Sequence, residues 1–385
     1  MIEINLHKRK LCSAIVMLAL LQSGLWYGGL ADLIPVGLLN QWNRISLIFT
    51  IILIILCVIR KRKINTATCL LVLYKLIFIV STYLNDRTIE TTEFTRFMCI
   101  ILAMEYFEDE MDNLISVLML IFELMVYYNF ITLSVGPDLY GAYYTALGYD
   151  NAASPYLLTA YLVAVCYCVE KKKYIRSCIM IVVIHMTLLI TMVGTGLVAI
   201  FFVDILLLFH LLRNMKISFI KSYCIYLTIT IAIVVCRIQN LFSFIIVDML
   251  GKDLTFTGRT KDWDLAFALI PKKMLFGYGI MDQSTEKIIL GDVYTHNAVL
   301  EQLFRGGVTA LLIFVAVVYF ISIANRYGNK ESQRKSRFLL CIMCGFWIIS
   351  LTEVIFEGVI FYCALTLYFH FTKFWAKKGE GGWCL

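Results

Sequence analysis

The chain has 385 residues, 61% of them hydrophobic and 16% charged, with a mean hydropathy of +0.81 and a formal charge of +7. A soluble domain is about 45–50% apolar and about 25% charged, so this composition excludes an ordinary soluble protein and points to a polytopic, all-α integral membrane protein. The basic residues fall in short clusters between apolar runs, as cytoplasmic loop ends require, so the net charge is not a nucleic-acid footprint.

Met1 to Lys10 is basic and precedes an apolar run that continues to Tyr27 with no small-x-small cleavage site. It reads as a retained first helix rather than a cleaved signal peptide. A spanning helix needs about 20 mostly apolar residues. About twelve segments qualify on that rule: residues 11–27, 45–59, 67–84, 96–107, 114–133, 155–169, 174–192, 195–212, 219–238, 308–324, 338–350 and 357–371, the fourth and eleventh being short. No internal repeat or low-complexity tract divides residues 1–385, which read as one integral domain.

The Lys/Arg bias sets the orientation. Alternate connections, counted from the N-terminus, hold about 22 of the 34 basic residues. Both termini are therefore expected in the cytoplasm, with residues 239–307 outside. The connection 108–113 breaks the pattern by being acidic. Within the spans, Lys75, Glu123, His185 and Asp204 are costly in lipid; Lys75 and Glu123 lie near mid-span and are expected to pair.

The external stretch 239–307 is too apolar and aromatic for disorder, and loops this long are uncommon unless they work. Residues 241–250 read as a surface helix. Residues 262–269 read as a second, because Trp263, Ala266, Phe267 and Ile270 share a face at helical spacing, with Pro271 ending it. Thr295 is the expected cap of a third, with His296 and Asn297 in its first turn and Arg305, Gly306 and Gly307 at its end.

Several residues there can carry chemistry. Arg259, after Gly258, offers a planar fork suited to phosphate oxygens, or else snorkels to headgroups. His296 can take or give a proton near neutral pH, or simply start a helix beside Asn297. Arg305 binds phosphate or serves a helix C-terminus. Asp150 and Asn151 cap the sixth helix or touch substrate. Glu353 and Glu357, four residues apart, share a face if one helix covers both, and fixing the loop's arginines is their expected role. The sequence contains no HExxH, no P-loop and no external DxD pair, so neither a zinc peptidase nor a metal-dependent nucleotide-sugar transferase is supported. The 13 cysteines lie almost entirely in apolar segments, and the one CxxC, Cys341/Cys344, reads as helix packing. No metal, cofactor or structural disulfide is expected.

The order GRTxxW, apolar helix, Pro, LFGYGI and THNAVLEQLFRGG, ahead of a spanning helix, resembles the O-antigen polymerase/ligase superfamily, most closely its Wzy-type polymerases of capsular, exopolysaccharide or O-antigen repeat units. The matching residues are Gly258, Arg259, Thr260, Trp263, Pro271, Gly277, Gly279, His296, Asn297, Glu301 and Gly306. The resemblance implies metal-independent glycosyl transfer from undecaprenyl-diphosphate-linked oligosaccharide at the outer face of the bacterial cytoplasmic membrane. It implies Arg259 on the diphosphate, His296 on the acceptor hydroxyl and Arg305 as a further phosphate contact. A flippase and a chain-length regulator of the same pathway are the implied partners. Many members carry another arginine in an earlier Ser-Arg-Gly turn; here that stretch reads Met-Val-Gly-Thr-Gly over 192–196, and Arg96 or Arg237 is left to supply the charge. A ligase within the superfamily, or a repeat-unit flippase outside it, are the alternatives.

Overall fold

The computed structural model describes residues 36–61, 63–89, 91–138, 143–238, 240, 258–292 and 294–379. Among them are thirteen α-helices: α1 (Val36–Ile59), α2 (Thr66–Leu84), α3 (Thr91–Tyr106), α4 (Met111–Thr132), α5 (Ala153–Lys171), α6 (Tyr174–Thr191), α7 (Gly194–Arg213), α8 (Phe219–Thr230), α9 (Arg259–Leu269), α10 (Gln283–Leu290), α11 (Ala298–Ala324), α12 (Lys330–Ile349) and α13 (Val359–Gly379). A single short hairpin pairs β1 (Tyr144–Thr145) with β2 (Gly148–Tyr149), Tyr144 opposite Tyr149.

Eleven of the twelve expected spans are helices here. The first, 11–27, lies outside the described residues, as does the expected surface helix at 241–250. Among the described residues, seven helices are long and apolar enough to cross a membrane: α2, α4 with its flanking turns (Glu108–Val135), α5, α6, α7, α11 and α13. Leu47–Ile59 in α1 and Phe219–Val235, which extends α8, are shorter apolar helices. At 16 residues α3 is also short, and α12 opens on a charged turn and becomes apolar only from Phe338.

The core sits on α13 and α5. Every residue of α13 from Val359 to Thr372 is buried, as is every residue of α5 from Ala153 to Ala164. A helix apolar all round belongs in the interior, and these two are enclosed by the rest. By contrast α6 and α7 bury one face and leave Ile175, Val182, Ile205 and Leu212 exposed, as lipid-facing helices do.

Polar side chains within the bundle meet one another. Asp204 accepts a hydrogen bond from Tyr161 (2.6 Å) and pairs with His185 (2.7 Å). The expected Lys75–Glu123 pair is not made. The Arg176 guanidinium reaches up α6 to bind both oxygens of Glu123. The Lys75 ammonium instead sits among aromatic rings, 4.7 Å from the Tyr362 centroid and 5.5 Å from Phe97. The stem of an arginine lets its head travel along the helix to a partner, and that reach is invisible in a span-by-span reading. The acidic exception at 108–113 also has a partner: Glu108 pairs with Lys373 (2.8 Å) and Lys377 (2.9 Å) of α13. The negative connection thus offsets a positive one beside it.

One spanning helix is broken. Inside α11, Gly307 adopts φ 66° and ψ −171°, so 298–306 and 308–324 are two helices end to end. This agrees with the sequence reading, which separates a surface helix ending at 305–307 from a span starting at Val308. The break falls where backbone groups need partners, and residues 274–279 supply them. Tyr278 N–H donates to Phe304 O (2.7 Å), and Gly279 N–H to Arg305 O (2.9 Å). Val308 N–H donates to Met274 O (2.9 Å), and Thr309 N–H to Leu275 O (3.2 Å). The strap lies so close that a β-carbon at Gly307 would stand 2.2 Å from Leu275 O, and one at Gly277 2.5 Å from Phe304 O. Those two glycines of LFGYGI and FRGG exist to let two backbones touch.

Candidate active site

The first part of α11, before Gly307, packs with α9 and α10 as one unit on the end of the bundle. Trp263 is wholly buried against Val234 and Leu300, and Ala266 against Leu290 and Phe304. Both lie on the α9 face expected from spacing; Phe267, expected on it too, is exposed. The helix begins at Arg259 after Gly258, whose φ of +92° turns the chain into it.

Arg259 is held in a defined plane. Its Nη1 donates to Thr352 O (2.6 Å) and its Nη2 to Glu353 Oε1 (2.8 Å). Glu353 also accepts from Asn151 Nδ2 (2.8 Å). Burial pushes the Glu353 carboxyl above its ordinary value, opposed by the nearby charges of Arg259 and His296. Glu353 therefore holds the Arg259 guanidinium by an ion pair. Glu357 does not lie on the same helix: the chain between Ile349 and Val359 is turn and 3-10 helix (Ile355–Glu357). The Glu357 and Asp150 side chains lie outside the described residues.

His296 stands just before α11, not inside it. The cap is Asn297, whose side-chain oxygen accepts from Val299 and Leu300 N–H (both 3.1 Å) while its Nδ2 donates to Leu351 O (3.0 Å). Thr295, the expected cap, is drawn off by Glu301, which accepts from its backbone N–H (2.8 Å) and hydroxyl (2.7 Å). His296 thereby takes a left-handed backbone, φ +52°. Its Nε2 lies 3.2 Å from Asp292 Oδ2, and its ring sits against Tyr294, with centroids 4.4 Å apart. Its Nδ1 is buried and has no hydrogen-bond partner among the described residues. Asp262, on α9, completes the group: Asp262, Asp292 and His296 each bring one donor atom within 4.8 Å of the others. Burial, then the charge of Asp292, raises the Asp262 carboxyl, while His296 and Arg259 pull it down.

Arg259 and His296, some forty residues apart in sequence, therefore lie in one neighbourhood, Arg259 bonded to Glu353 and His296 to Asp292, with the charges of both felt at Asp262 and Glu353. The fold places other expected residues differently. Arg305 is buried, with its guanidinium on Glu286 (3.1 and 2.6 Å) and Glu301 (2.5 Å). Arg96 pairs with Glu93 (2.7 Å) on α3, which packs against α1 and α13. Arg237 is nearer the site: it bonds Thr260 O (3.1 Å), pairs with Asp264 and lies 5.1 Å from the Trp263 ring centroid, all on α9. Its Nη1 is buried without a hydrogen-bond partner among the described residues. The 192–196 stretch reaches the same place, since Thr195 Oγ1 lies 3.2 Å from Thr352 Oγ1. Asp262 and Asp292 were not singled out from sequence. An acid four residues before His296 was a signal for Asp292; nothing local marked Asp262.

No curated protein matches the chain. Residues 179–315, from α6 into the span of α11 and including Arg259 and His296, match the family model described as O-antigen ligase, in keeping with the O-antigen polymerase/ligase superfamily and a membrane glycan-transferring enzyme.

Proposed function

We propose that the protein polymerises undecaprenyl-diphosphate-linked oligosaccharide repeat units into a capsular, exo- or O-antigen polysaccharide, at the outer face of the bacterial cytoplasmic membrane. The observation that carries this is that Arg259, held by Glu353, and His296, paired with Asp292, both fall in the family-matched segment and both lie near the carboxylates of Asp262 and Glu353. A lipid diphosphate suits such a place: its tail stays in the bilayer and its diphosphate lies at the interface.

In the proposed reaction the acceptor hydroxyl gives its proton to His296 Nδ1, and its oxygen attacks the anomeric carbon of the donor. The anomeric C–O bond breaks, and its electron pair leaves with the lipid diphosphate. Asp292 at Nε2 favours the imidazolium that forms. Arg259, already fixed by Thr352 and Glu353, meets the charge that develops on the leaving group. Arg237, on the same helix surface and with an unpartnered Nη1, supplies the second positive charge in place of the arginine other members carry earlier. The donor comes from a flippase and the product length from a chain-length regulator.

Removing one pre-placed charge or donor costs about 100–1000-fold in kcat, and removing a general base about 100–10,000-fold. Arg259→Lys and His296→Ala are expected to fall in those ranges when the purified protein is given lipid-linked repeats. A wild-type rate in either variant would take that residue out of the reaction. The second reading is a ligase, favoured by the description of the matching family. A ladder of chain lengths on the lipid carrier marks a polymerase, and attachment of finished glycan to an unrelated acceptor marks a ligase.

A further inference from the structure

We infer that Glu286, Arg305 and Glu301 form a buried strut that positions the His296 turn, and that Arg305 is a positioning residue rather than a phosphate contact. The inference rests on the reading of His296 as the base.

The three side chains are almost sealed: Arg305 is 9% exposed, Glu286 1% and Glu301 2%. Arg305 binds Glu286 through Nε and Nη2 (3.1 and 2.6 Å) and lies 2.5 Å from Glu301 Oε1. Two carboxylates already lie on this guanidinium and bring negative charge to its donors. A phosphate approaching Arg305 would meet that charge in a poorly screened interior, where repulsion is strong.

The strut also runs to both sides of His296. Glu301 holds Thr295, the preceding residue, by its N–H and its hydroxyl. Glu286 lies on α10, which turns at Gly291 into Asp292, the partner of His296 Nε2. Arg305 thus joins the support of the imidazole to the support of the carboxylate that orients it. Such a junction accounts for φ +52° at a residue with a β-carbon, a backbone that persists only where the surroundings hold it. A guanidinium is suited to this task because its fork reaches two acceptors at once; an ammonium is a single point.

The test uses the full-length protein in detergent or vesicles, with Glu286→Gln, Glu301→Gln and Arg305→Lys. The glutamines keep the shape and remove the charge, so folded protein is expected. A misplaced catalytic group costs about 10–100-fold, so kcat should fall by that much while KM for the lipid-linked substrate stays within about twofold. The second readout is the rate at which diethyl pyrocarbonate modifies His296, followed by peptide mass spectrometry. It should change severalfold in both glutamine variants. A raised KM with kcat held and His296 reactivity unchanged would mark Arg305 as a ligand contact and overturn the strut. Unchanged reactivity in both glutamine variants overturns it whatever the turnover. If His296→Ala turns over normally while the glutamine variants alter His296 reactivity, the base role fails and the strut stands.

Discussion

At the residue scale, the site is a set of charges held by one another, and Glu353 is its least comfortable member. Its carboxyl is raised above 4.5 chiefly by burial, with Arg259 pulling the other way. A carboxyl raised in the folded state binds more protons there than in the unfolded chain, so stability is greatest at low pH and falls as pH rises through the raised value. Wild-type Tm should therefore decline, relative to Glu353→Gln, as pH rises above 4.5; parallel Tm–pH curves would show that burial does not govern this group. Arg259 and His296 were legible as candidates because arginine after a glycine and histidine beside a helix start are rare in a chain this apolar. Their partners were not legible. Glu353 lies 94 positions from Arg259, and only folding joins them. Thr295 was misread as a cap because its own chemistry suits one; Glu301, six residues on, competes for it and wins. Lys75 and Glu123 were misread for a related cause: depth in the span does not say which helices touch.

At the element scale, the spans were legible because each must satisfy its own backbone in lipid. The break in α11 was half legible. Glycines at 306 and 307 marked an end and a new beginning, but the strap that completes the break comes from the LFGYGI motif about thirty residues earlier. The motif thereby gains a structural reason: Gly277 sits against the backbone of Phe304 and Arg305, and Gly279 against that of Ser81 and Thr82, so that the strap lies close enough for four backbone bonds to α11. Gly307→Ala forces a glycine-only conformation, costing about 1–3 kcal/mol, and adds a contact of 2.2 Å with Leu275 O. A large loss of Tm and of folded yield is expected. Gly258→Ala is the control: its φ is also positive, yet nothing stands within 4 Å of the added carbon, so its loss should be clearly smaller. Equal losses would mean that conformation alone, and not close packing, governs Gly307.

At the scale of the whole molecule, two groups of polar contacts lie at the ends of the bundle, besides the Tyr161–Asp204–His185 and Arg176–Glu123 contacts within it. One end holds Arg259, His296 and Glu353. The other joins Glu105 and Glu108 to Asn65, Lys373 and Lys377. The break in α11 has a consequence for how such a molecule is made. Its partners, the strap at 274–279 and Ser81 and Thr82 of α2, which bond Arg305 O (2.9 Å) and Ile280 N–H (2.9 Å), all precede α11 in the chain. During synthesis the break thus emerges after the groups that bridge it. Produced on its own, a fragment starting at Asp292 would carry an incomplete helix into lipid, where each unmet backbone group costs several kcal/mol. It should be degraded when expressed alone and rescued by co-expression of residues 1–291. Equal accumulation with and without that partner would mean the break needs no help from the earlier chain. Directional synthesis, N-terminus first, becomes part of what makes a broken spanning helix affordable.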